Sequence, residues 1–195
     1  MLCCIAMKFI FDFDDVLLNN TGQFKPHMFA CIAKAGVPRN VAEGHYKEKR
    51  VQEFSLRDFI THLFSKYEIA EPTIENVYTE IMGECKNFIN TELVEVVKKL
   101  GKENCWIITN GEQVFNHDKV FMSGLDTLFS EIHIVPGSKK EIIEKICAEN
   151  KNEKVIFVDD KAKFIDDINM TKCPNLKTIL YDTHGLEKVK AEILE

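Results

Sequence analysis

The chain has 195 residues, 45% of them hydrophobic and 29% charged, with a formal net charge of -6. That is the length of one mid-sized domain, or of a core domain carrying a small insert, and the balance of an ordinary globule. The surplus acid is spread along the chain and argues against a nucleic-acid backbone as main partner, while no apolar stretch reaches the ~20 residues of a membrane span. The start, MLCCIAM, is short and lacks a charged flank, so it does not read as a secretory signal. Met7 is an alternative start. The seven cysteines include no CxxC pair. They read as reduced thiols of a cytoplasmic protein, not as a disulfide frame or a zinc site, and Cys3-Cys4 has no further ligand nearby.

Lys8 to Leu17 reads KFIFDFDDVL. Its apolar run predicts a strand buried on both faces, ending at Asp12. A polar turn, Asn19 to Gly22, leads into a long helical region. Phe24 to Ala35 carries apolar residues near helical spacing and stops at Gly36 before Pro38. Asn40 to Val51 is polar and helical. Ser55-x-x-Asp58 caps a helix with the stripe Leu56, Phe59, Ile60, Leu63, Phe64 and Tyr67. Pro72 is read as the end of that unit, and Thr73 to Ile89 as one further helix.

The rhythm then alternates. Helices are predicted at Leu93–Leu100, Gln113–Gly124, Ser138–Asn150 (with a capping box at Ser138 and Glu141), Ala162–Asn169 and Gly185–Glu195. Strands are predicted at Asn104–Thr109, Glu131–Val135, Lys154–Asp159 and Leu176–Tyr181. Alternation of this kind implies an α/β fold: a doubly wound, parallel, five-stranded sheet with a helical module inserted after the first strand.

Three of these strands end in polar groups: Asp12 and Asp14, then Thr109-Asn110-Gly111, then Asp159-Asp160. A parallel sheet brings such ends to one edge, where open α/β sheets bind ligands. Carboxylates gathered there need a cation or a shared proton, and an oxygen-only set suits Mg²⁺. Thr109 offers a hydroxyl, and Asn110 and Gly111 offer backbone N–H groups ahead of a helix, to phosphate oxygens. Lys139 and Lys140 fall in the first turn of a helix, where the dipole disfavours cations, so an anion within reach is expected.

These four stations, in this order, resemble the motifs of the haloacid dehalogenase-like (HAD) phosphohydrolases, beginning with Asp12-Phe13-Asp14-Asp15-Val16. The resemblance covers roughly Lys8 to Leu18 and Leu93 to Tyr181. It implies a Rossmannoid core of residues 1–18 and 91–195, with residues 19–90 as a C1-type helical cap. It further implies that Asp12 is nucleophile and Mg²⁺ ligand. Asp14 would be general acid/base and metal ligand through its backbone carbonyl, and Thr109 and Lys139 (or Lys140) would bind phosphate. Asp160 would be the main acidic metal ligand, with Asp159 ligating or orienting Lys139. Asp15 replaces the usual Gly, and Phe164 stands where a further Asp or Asn is common, with Asp166 and Asp167 the next acids.

The activity so implied is Mg²⁺-dependent hydrolysis of a small phosphomonoester through an aspartyl-phosphate. Asp14 argues against a haloacid dehalogenase, which has no alkoxide to protonate. A phosphotransferase such as a phosphosugar mutase, and a non-catalytic phosphate-binding module, are the alternatives. Candidate lining of the substrate pocket comes from Phe24, Lys25, His27, His45, Tyr46, Lys47, Lys49, Arg50 and Arg57.

Overall fold

A computed structural model describes residues 7–49, 54–70, 72–168 and 170–194. The expectations for Met1–Ala6, with Cys3 and Cys4, for Arg50 and for the ends of the helices drawn to Val51, Asn169 and Glu195 fall outside these. Five strands form one sheet in the order β3-β2-β1-β4-β5: β1 (Met7–Phe11), β2 (Cys105–Asn110), β3 (Glu131–Val135), β4 (Lys154–Asp159) and β5 (Leu176–Leu180). Every neighbouring pair is parallel.

β1 is central because its side chains are apolar on both faces. Phe9 and Phe11 point into the larger hydrophobic cluster, their rings stacked at 5.9 Å. Ile10 points the other way, with Ile108, Val155, Phe157 and the stripe Ile143, Ile146 and Cys147. Residues alternate across a strand, so one short run serves both layers. In register, Phe11 lies beside Ile107 on one side and Val158 on the other. The ends Asp12, Asn110 and Asp159 therefore come out along the same edge.

Between β1 and the rest lie α1 (Lys25–Lys34), α2 (Arg39–Lys49), α3 (Leu56–Lys66) and α4 (Pro72–Gly83). Ser55 caps α3 as expected, its hydroxyl accepting from the Asp58 N–H at 3.3 Å. Two expectations are corrected. Pro72 opens α4 instead of ending the unit before it, which suits a residue without an N–H at a first helical position. The helix drawn from Thr73 to Ile89 breaks at Gly83, the poorest helix former short of proline, and resumes as a tight turn over Cys85–Phe88.

The helices of the second half are α5 (Thr91–Leu100), α6 (Gln113–Ser123), α7 (Lys140–Glu149), α8 (Ala162–Asp166) and α9 (Gly185–Leu194). The capping box at the start of α7 does not form: the Ser138 hydroxyl accepts from the Lys140 N–H at 3.1 Å, not from Glu141, and also bonds Asp167. The two connections into and out of the inserted helices run side by side. Leu18 bridges Ile89, the Asn19 N–H reaches Phe88 O at 2.8 Å, and the Asn90 N–H reaches Leu17 O at 2.8 Å. The larger hydrophobic cluster runs without a break from Phe9, Phe11 and Ile107 in the sheet to Leu56, Phe64 and Ile81 in the inserted helices.

Candidate active site

Asp12 follows β1 directly, its N–H extending the ladder to Val158 O at 2.9 Å. The chain then turns back: the N–H groups of Leu17 and Leu18 bond Phe13 O. Asp15 sits in the left-handed region at φ 62°, a conformation that favours glycine. Here the aspartate offsets the strain locally. Its two oxygens accept from the N–H and the hydroxyl of Thr21, each at 2.6 Å, the local bonding that lets Asp tolerate such backbone.

Asp12, Asp159 and Asp160 each offer a carboxylate oxygen, all within 4.8 Å of one another. Asp12 and Asp159 are buried. Lys139, only 1% exposed, stands between these two, with Nζ 2.8 Å from Asp12 Oδ1 and 2.6 Å from Asp159 Oδ2. Its other neighbours are the Phe164 and Phe157 rings, 4.6 and 5.7 Å from the ammonium. The anion expected near the head of α7 is there for Lys139, flanked by two buried carboxylates. Asp159 Oδ2 accepts from Lys139 at 2.6 Å, and its Oδ1 accepts from the Lys161 N–H at 2.8 Å. Asp160 bonds Lys161 Nζ at 3.2 Å.

Burial, then the Asp12 charge, pushes the Asp159 carboxyl up. Burial likewise pushes Asp160 up to about 6, against the pull of Lys161. Such carboxyls sit in an electrostatic environment short of positive charge. The donor set is oxygen only, and two ligands on a Mg²⁺ octahedron lie at most ~4.2 Å apart at bond lengths near 2.1 Å. The cluster therefore fits a small hard cation with slight closure. The Asp14 carboxylate is not in this group: it pairs with Lys119 Nζ at 2.6 and 2.7 Å.

Asp12, Asp14, Thr109 and Asn110 line a small cavity of about 60 Å³, shared with Lys161, Lys163 and Phe164. Phe164, in the place of a polar second contact, instead covers Lys139. A larger cleft of about 620 Å³ opens beside it, walled by Asp14, Phe24, Lys25, Tyr46, Phe54, Phe115, Lys119 and others. Of the lining expected from sequence, Phe24, Lys25 and Tyr46 are there. Arg57 is committed to Glu75 and lies 3.7 Å over the Tyr78 ring. His27 packs on Phe88 and His45 on His62, and neither they nor Lys47 and Lys49 line the cleft.

The phosphate loop departs from expectation. The Gly111 N–H is spent on Val135 O at 2.9 Å, and Glu112 caps α6 with its own carboxylate, accepting from the N–H groups of Val114 and Phe115 at 2.9 and 2.7 Å. Those donors are closed to a phosphate. The Asn110 amide braces the loop before α7, donating to Val135 O and Gly137 O at 3.1 and 2.7 Å. Lys119, Lys161 and Lys163 were not singled out by sequence reasoning. The signal for Lys119 was its place on the inward stripe of α6 with Phe115 and Val120.

The fold and site define the class: a parallel α/β core with carboxylates collected at its strand ends under an inserted set of helices. The model of the haloacid dehalogenase-like hydrolase family matches residues 9–181, and the chain belongs to that family. Among solved structures, a candidate haloacid dehalogenase-like hydrolase from Burkholderia xenovorans LB400 is 16% identical with a TM-score of 0.67, over 98% of this chain and 99% of that one. The candidate HAD-hydrolase YfnB from Bacillus subtilis, bound to magnesium, is 12% identical with a TM-score of 0.56, over 97% and 99%. A candidate β-phosphoglucomutase from Thermotoga maritima is 16% identical with a TM-score of 0.56, over 93% and 90%. At these identities the likeness concerns the fold. No curated protein matches the chain.

Proposed function

We propose that this chain is a Mg²⁺-dependent phosphatase of small phosphomonoesters that works through an aspartyl-phosphate. The observation that carries the reading is Lys139, buried between Asp12 and Asp159 with Asp160 beside them. Burying that many charges is costly and gives little net stability, so their retention speaks for chemistry. Asp12 and Asp160, with Asp159 and the Asp14 backbone carbonyl, would hold the metal. When bound, the ion supplies positive charge where carboxylate and phosphate dianion must meet.

The chain's own groups do the rest. An Asp12 oxygen attacks phosphorus while the ester oxygen leaves with its electron pair. Asp14 gives that oxygen a proton, then takes one from the water that cleaves the aspartyl-phosphate. Lys139 and the Thr109 hydroxyl hold the phosphoryl oxygens, and Asp159 orients Lys139. Residues 19–90 form a cap over a core of residues 1–18 and 91–195, and the cleft between them takes the leaving group. Five buried free cysteines support a reducing compartment, which we read as the cytoplasm.

The test is a panel of phosphomonoesters, p-nitrophenyl phosphate included, with product analysis. Free phosphate, lost on adding EDTA and restored by Mg²⁺, is expected. Asp12→Asn should abolish turnover by several orders of magnitude. Wild-type rates in that variant would refute the nucleophile, and an isomerised sugar phosphate in place of free phosphate would refute the hydrolase.

A further inference from the structure

Lys119 is buried, 1% exposed, on the inward stripe of α6. Rings of Phe115, Phe13 and Phe24 surround its ammonium at 4.7, 5.8 and 5.9 Å. Its only polar partners among the described residues are the two oxygens of Asp14, at 2.6 and 2.7 Å. A leucine or methionine would fill such a cage at far lower desolvation cost, and a buried ion pair seldom adds stability over apolar packing. The placement of Asp14 gives the charge a purpose. This carboxylate lines both the small cavity with Asp12 and Thr109 and the large cleft. It thus stands where a leaving group must part from a phosphoryl group.

We infer that Lys119 is a positioning residue: it sets the rotamer of Asp14 and, in the reacting state, keeps one oxygen of it while the other, carrying the proton, faces the leaving oxygen. Asp14 hangs from a tight turn and makes no other side-chain hydrogen bond among the described residues. A free carboxylate there samples three staggered χ1 wells. The bidentate ammonium selects one and keeps the group turned away from the acidic cluster of Asp12, Asp159 and Asp160. Lys119 itself does not touch the reacting atoms; it acts through Asp14. The inference rests on the reading of Asp14 as acid/base.

The discriminating measurement is leaving-group dependence. An alkyl phosphate such as β-glycerophosphate needs its departing oxygen protonated, whereas p-nitrophenolate departs with little help. Lys119→Met should lower kcat/KM for the alkyl ester roughly tenfold or more beyond its effect on the aryl ester, a share of the 10²–10⁴ that a general acid contributes. Asp14→Asn should show the same split. Adding Lys119→Met to Asp14→Asn should then widen the split by less than about twofold, because coupled residues are not additive. Lys119→Gln, which keeps a donor without the charge, should fall between, and it carries the test if the methionine variant does not fold. Equal slowing of both esters in the Lys119 variants, with a split in Asp14→Asn, overturns the inference and leaves the phosphatase reading standing. No split in Asp14→Asn overturns the acid/base assignment beneath it.

Discussion

Replacing Lys139 by methionine tests whether the acidic cluster depends on internal neutralisation. The methionine keeps the stem's packing against Phe157 and Phe164 but removes the ammonium held 2.8 and 2.6 Å from Asp12 and Asp159. Two buried carboxylates lose their partner, and Asp160 stands close by. Breaking a buried pair from one side costs about 3–5 kcal/mol, a large part of the ~5–15 kcal/mol that holds a domain together. At this length that is a fall in Tm of roughly 6–20 °C. The loss should depend on pH with a definite sign. The Asp159 and Asp160 carboxyls already stand above their ordinary values, and without the Lys139 charge Asp159 rises further, so the folded variant binds more protons than the unfolded one. Its stability then grows as pH falls through the raised values, and the gain is complete below the unfolded ones. Urea denaturation of wild type and Lys139→Met at pH 7.5 and 5.5 reads this directly: the deficit should shrink at the lower pH, and Mg²⁺ should shrink it at the higher. A deficit below about 1 kcal/mol, or one equal at both pH values, would refute the reasoning.

Two further outcomes follow from the same geometry. Asp160 is pushed up to about 6 by burial and must lose its proton to bind a cation, so Mg²⁺ affinity should fall by about tenfold per unit below that pH and level off above it. Calorimetric titration between pH 5 and 8 checks this, and a flat profile would contradict it. Asp15→Ala should cost about 1–2 kcal/mol in thermal denaturation, since it keeps the left-handed backbone of φ 62° and loses both bonds to Thr21. Asp15→Gly, free of the backbone strain, should cost less; the reverse order would refute the account of this turn.

The sheet was legible because its strands are short apolar runs cut off by polar residues. KFIF, WIIT and KVIFV could be nothing else in an alternating chain, and their ends placed Asp12, Thr109 and Asp159 at one edge. The elements that misread were those whose punctuation has two meanings. Pro72 both ends and begins helices, and only the packing of α4 decides. Ser138 and Glu141 fit a capping box by spacing, yet the serine is drawn to Lys140 and Asp167. Lys119 went unnoticed because a single lysine on a helix is read as a solvated charge unless its stripe is checked for what surrounds it. Gly111 was offered to phosphate because a strand end says nothing of whether its N–H is already taken by the neighbouring strand. Here Val135 takes it.

The side-by-side connections at Leu18 and Ile89 constrain how substrate can enter. The inserted helices are tied to the sheet by two leashes stitched to each other, while their oily undersides merge with those of the strands. Lifting them away wholesale would wet that shared interior. The two layers thus share one interior, and the cleft of about 620 Å³ beside Asp14 offers a way in that leaves it covered.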